Sequence, residues 1–179
     1  MDFSFTVLGC SAAMPAFGRN VSAHIVQYDH QPYLVDCGEG TQIQLQKSQV
    51  AYSKIKQIFI SHLHGDHYFG LFGLLTSFGL TGRQEQLEIF APPGLTEVLE
   101  SVVRISDNTL PYPLVIHEID STKFAVIWEG PALKVFSIPL QHRIPCNGFL
   151  FVEKQRSLNI IAEVIPRYNL SFEDIKKIK

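Results

Sequence analysis

The chain has 179 residues, 46% of them hydrophobic and 18% charged. That is enough for one domain with a buried core, and too apolar for a disordered tail. A net charge of −2 excludes a generic electrostatic nucleic-acid binder, and three widely spaced cysteines, Cys10, Cys37 and Cys146, exclude a disulfide framework.

Residues Phe3 to Leu8 alternate and read as a strand. A loop of small residues follows from Gly9 to Asn20. Val21 to Tyr28 and Tyr33 to Val35 read as a hairpin around Asp29-His30-Gln31-Pro32. The glycines of Asp36-Cys37-Gly38-Glu39-Gly40 permit a tight turn, and a helix is expected from Thr41 or Gln42 to about Lys47. Gln57 to Ile60 is a short apolar strand. Phe69 to Leu80 is a small-and-apolar helix whose three glycines imply close packing, in the core or at a dimer face. Then come a strand from Leu87 to Phe90, an amphipathic helix from Leu95 to Ile105, and strands at Leu114–Ile119, Phe124–Trp128 and Leu133–Ile138. Ser171-x-x-Asp174 reads as the capped start of a last helix. Strands interleaved with helices imply a layered α/β domain. No apolar run approaches the roughly 20 residues of a membrane span. The first residues lack a basic stretch and carry Asp2, so they do not read as a signal peptide. A reduced, cytoplasmic location is expected.

The stretch with the most chemistry is Ser61-His62-Leu63-His64-Gly65-Asp66-His67. Alternate side chains of an extended segment point the same way, so His62 and His64 can reach one ion together. Gly65 lets the backbone turn, and Asp66 with His67 suits a second ion nearby. Paired imidazoles favour zinc or a similar transition metal.

This S-H-L-H-G-D-H stretch resembles the signature of the metallo-β-lactamase superfamily. Its continuation, Asp66-His67-Tyr68-Phe69-Gly70-Leu71, is similar to that of the tRNA 3′-processing endonucleases, the tRNase Z (ribonuclease Z) family. The resemblance implies an αββα sandwich. It implies that His142, just past a strand, joins His62 and His64 on a first zinc. It implies that Asp66 and His67 serve a second zinc, with Asp66 also accepting a proton. Asp36, in D-C-G-E-G-T-Q, would orient the metal loops without touching metal. Pro15 to Asn20 resembles the family's P-x-K-x-R-N loop, with Phe17 in place of the lysine, and this makes Arg19 and Asn20 expected substrate contacts. His24, His30 and His117 read as structural or surface histidines.

Within the family's domain of roughly 300 residues, the chain corresponds to about the first half. Residues 1–148 are expected to be the N-terminal half of that domain, and 149–179 the start of a truncated substrate-binding arm. The charge is uneven: through His142 there are 8 Lys+Arg against 13 Asp+Glu, and beyond it 7 against 4. The expected partners are precursor tRNA and a second copy of the chain, with no membrane or DNA. Two zinc ions are expected per complete site. At most one would be well held by these 179 residues, which alone should show negligible nuclease turnover. The competing expectations are another hydrolase of the superfamily, acting on a small phosphodiester or a thioester, and a half-domain that binds metal without turnover.

Overall fold

The structure is a computed structural model and describes residues 3–106, 109–155 and 161–178. Two sheets face each other, and helices cover the outer face of the larger one. The first sheet has six strands in sequence order: β1 (Phe3–Gly9), β2 (Ala23–Tyr28), β3 (Gln31–Val35), β4 (Gln57–Phe59), β5 (Leu87–Ala91) and β6 (Leu114–Glu118). The first three are antiparallel, and β3 through β6 run parallel. Parallel neighbours require crossover connections. These are supplied by α1 (Thr41–Lys47), by the short α2 (Gly65–Tyr68) with α3 (Leu71–Leu80), and by α4 (Leu95–Ser106).

Strand β4 shows why the sequence folds this way. It is buried on both faces, so its run is continuously apolar rather than alternating. Ile58 and Ile60 face the helices and pack with Leu45, Leu71, Leu74 and Phe78. Phe59 faces the second sheet and packs with Phe90, Phe149 and Phe151. That sheet is antiparallel, ordered β7 (Ala125–Glu129), β8 (Leu133–Pro139), β9 (Asn147–Glu153). Its outer face carries exposed Val126, Leu150 and Val152. The layers described are thus helix, sheet, sheet: the layered α/β architecture expected.

Gly70, just before α3, and Gly79, within it, have separate reasons. A Cβ at Gly70 would strike the carbonyl of Gly38, and one at Gly79 would crowd Pro111. Both are therefore close approaches between packed segments of this chain. The expected domain boundary after residue 148 falls inside β9, whose register with β8 runs from Asn147 to Glu153. Beyond it, α5 (Val164–Arg167) and α6 (Phe172–Ile178) are short and exposed. Ser171 and Asp174 exchange hydrogen bonds as the capping box implied, with the Asp174 N–H donating to Ser171 Oγ and Ser171 donating to Asp174 Oδ2. No helix among the described residues is long and apolar enough to cross a membrane. Cys10, Cys37 and Cys146 are free.

Candidate metal centre

Open parallel sheets place their chemistry at the carboxyl ends of the strands, and this one does so. Asp36 follows β3, and Ser61 to His67 follow β4, its parallel neighbour. The ladder continues past both ends, with the Asp36 N–H donating to the Phe59 carbonyl at 2.8 Å. The loop after β8 is fastened here too. Asn147, at the start of β9, donates its N–H to the Ser61 carbonyl at 2.9 Å. That bond draws the His142 loop over the end of β4.

Three imidazoles converge as a result. His62 Nε2 lies 3.1 Å from His64 Nδ1, and His142 Nε2 lies 3.2 Å from the same atom. Among the described residues these three form the group able to hold an ion, with all ligand atoms within 4.8 Å of one another. The rings are steeply inclined, at 76° to 80° between planes. Imidazole nitrogens about 2.0–2.1 Å from a tetrahedral zinc stand roughly 3.3 Å apart. The two separations from His64 Nδ1 are close to that and the whole set lies within 4.8 Å, so the donor set fits such an ion.

The protonation pattern also fits. Burial, reinforced by the neighbouring His67, pushes the His62 imidazole down to about 4. It is therefore a neutral donor at neutral pH. Its Nδ1 lies 3.0 Å from Ser61 Oγ, and Ser61 Oγ donates to Asp36 Oδ2 at 3.1 Å. A carboxylate only accepts, so the Ser61 hydroxyl points to Asp36 and receives the His62 Nδ1–H. The Nε2 lone pair is left facing the cluster.

Asp36 is the hub of this arrangement. Its carboxylate is buried and accepts the Ser61 N–H at 2.8 Å, Ser22 Oγ at 2.9 Å and His67 Nδ1 at 2.6 Å. Its backbone is left-handed at φ 57°, a conformation that aspartate tolerates. With Nδ1 donating to Asp36, His67 turns Nε2 toward Asp66 Oδ2, 3.6 Å away. Burial alone would lower the His67 imidazole, but the Asp36 hydrogen bond and charge outweigh it and raise it. Burial would likewise raise the Asp66 carboxyl. The Ala13 N–H, 2.8 Å from Oδ2, and the charge of His67 together hold it below the usual carboxylate range.

These residues line a cavity of about 620 Å³, with Glu39 and Arg143 on its rim. The structure therefore brings His62, His64 and His142 together, sets Asp66 and His67 beside them, and puts Asp36 behind. Arg19 and Asn20 do not line this cavity. Arg19 is exposed on its loop, where its N–H donates to the Ala16 carbonyl. The Asn20 carbonyl accepts the N–H groups of Cys10 and Ser11 and shapes the loop. His24 and His117 stack on Phe5 and Phe90, and His30 sits in its hairpin turn with positive φ. Ser22, Ser61, the Ala13 N–H, Glu39 and Arg143 escape sequence reading. Ser22, Ser61 and the Ala13 N–H owe their places to contacts across the fold with Asp36 and Asp66, and those residue types carry no metal signal.

A pH dependence follows for the metal-free chain. His62 binds a proton more weakly when folded than when unfolded. Lowering the pH from about 6.5 to about 4 therefore loads protons on the unfolded state first and lowers stability. His67 is raised and works oppositely, adding stability below its unfolded value that is lost as pH rises through its folded one. Thermal unfolding between pH 7 and 4 should show the decline, and His62→Gln should flatten it. An identical slope in the variant would refute the assignment.

The Anti-Pycsar protein Apyc1 family model matches residues 3–110. Ribonuclease Z of Bacteroides fragilis is 42% identical over 177 residues, 99% of this chain and 58% of that protein. Ribonuclease Z of Parabacteroides distasonis is 40% identical over 99% of this chain and 59% of its own length. The crystal structure of human tRNase Z, short form, superposes with a TM-score of 0.76 at 37% identity, covering 84% of this chain and 64% of that one. The metallo-β-lactamase fold protein YhfI of Bacillus subtilis, at 18% identity, TM-score 0.67 and coverage of 85% and 59%, shares the fold. The chain spans under two thirds of the length of each of these relatives. It belongs to the family that the matching model describes and, within the metallo-β-lactamase fold, is a relative of the ribonucleases Z.

Proposed function

We propose that this chain carries the metal-binding portion of a cytoplasmic, homodimeric endoribonuclease that removes 3′ trailers from precursor tRNA. The observation that carries the reading is the His62–His64–His142 cluster in a chain that matches ribonuclease Z along 99% of its length. His62, His64 and His142 would hold a first zinc, and Asp66 and His67 would contribute to a second. When bound, such ions polarise a phosphoryl oxygen and supply a hydroxide at neutral pH.

The remaining work falls to the chain's own groups. Ser61 and Asp36 hold the tautomers that leave His62 Nε2 and His67 Nε2 as acceptors. Asp66 is ionised and anchored by Ala13, which suits a ligand first and a proton acceptor for the attacking water second. Arg19 and Asn20, outside the cavity, are assigned to the RNA that approaches it.

The test uses a protein of the relatives' full length containing this sequence. Precursor tRNA should be cut to leave a 3′-hydroxyl, far faster than bis-p-nitrophenyl phosphate or a thioester is hydrolysed. Turnover of either small substrate with the precursor left intact would overturn the reading.

A further inference from the structure

His142 is followed directly by Arg143, and the two side chains do different things. His142 joins the imidazole cluster. Arg143 lines the wall between the metal cavity and a second one of about 720 Å³. That second cavity lies between the turn after β5 and the loops after β6 and β8, where Pro93, Ile119, Leu140, Ile144 and Pro145 supply apolar surface. His142 and Arg143 line both cavities, so the two adjoin at this pair.

The charges there are uneven. Glu39 and Asp66 are the carboxylates at the metal cavity, and Glu118 and Asp120 line its neighbour. Glu118 Oε1 accepts from Gly94 and Thr96, and Asp120 is paired with Lys123. Arg143 is the guanidinium lining either cavity among the described residues, and no hydrogen bond or ion pair holds it there. An exposed arginine without a protein partner, beside a metal site and at the join of two cavities, is suited to an oxyanion with fork geometry. Arg19 cannot do this work from where it stands, since it lines neither cavity.

We propose that Arg143 is a substrate-positioning residue that grips a non-bridging phosphate oxygen at the join and leads the strand from the metal cavity into its neighbour. The proposal rests on the phosphodiesterase reading of the site. It adds that the second cavity, whose apolar side chains stand beside Ser121, Thr122 and Gln141, takes the nucleotide on one side of the cleaved bond. The side chain is exposed, so its replacement leaves the core alone.

The test uses the 179-residue chain with one equivalent of zinc. Inorganic phosphate is titrated and followed by ³¹P NMR, and a short RNA with a 3′ extension is followed by fluorescence anisotropy. Arg143→Gln should weaken phosphate binding at least ~tenfold, the scale of one charge-assisted contact. Arg143→Lys should restore part of it, and zinc content should stay unchanged in both variants. Equal phosphate affinity in Arg143→Gln, no phosphate binding by the parent chain, or loss of zinc from the variant would each overturn the proposal. Arg143-dependent phosphate binding without any RNA binding would uphold the clamp and count against the tRNA reading instead.

Discussion

His142→Ala should lose its zinc: equilibrium dialysis should find affinity lower by at least ~100-fold, more than outer-sphere partners of a metal site typically contribute. The reason is geometric. His62 and His64 come from one extended segment and supply two donors. The third arrives from the loop after β8, 78 residues on, with Nε2 at 3.2 Å from His64 Nδ1. Two imidazoles alone leave the ion half solvated. The substitution is also clean, because His142 is exposed and buries no core surface. Melting of the metal-free chain should therefore hardly change, while the stabilisation that zinc confers disappears. Zinc affinity equal to the parent's would remove His142 from the site.

Asp36 offers the second large effect, and two variants separate its roles. Asp36→Ala strands the buried Ser22 Oγ and the partly buried Ser61 N–H and His67 Nδ1 that now end on the carboxylate. An unsatisfied buried donor costs about 1–3 kcal/mol, so a loss of roughly 3–5 kcal/mol in unfolding free energy is expected. Asp36→Asn keeps the shape, tolerates the positive φ and can still accept the Ser61 N–H. Its amide NH₂, however, faces His67 and must donate. His67 then accepts at Nδ1 and carries its proton on Nε2, the atom turned toward Asp66. Long-range ¹H–¹⁵N NMR should show the tautomer switch. A parent-like His67 spectrum in Asp36→Asn would contradict the hub role.

Much of this site is legible from sequence because its donors are local. The H-x-H-x-D-H spacing at the end of an apolar strand puts four ligating groups within six residues, and strand geometry does the rest. His142 is different. Its spacing from His64 carries no period, and only the resemblance singles it out; the Asn147-to-Ser61 bond that seats its loop is a pairing of two backbones, which no side-chain type announces. Ser22 and Ala13 are hidden because their partners, the Asp36 and Asp66 carboxylates, lie 14 and 53 residues away and no local pattern links them.

The fold shows a similar division. Strands β1 to β8 stand out through alternation or continuous apolar runs. The segment from Phe149, which the resemblance reads as the start of a substrate-binding arm, pairs with β8, and Phe149 and Phe151 pack on Phe59. Apolar residues on both faces of Phe149 to Val152 blur the alternation that would have marked it.

X-ray absorption at the zinc edge, on the chain loaded with one equivalent, is the most direct test. The account predicts three imidazole nitrogens at about 2.0–2.1 Å and one light oxygen ligand. A shell containing sulfur, or fewer than three imidazoles, would contradict it.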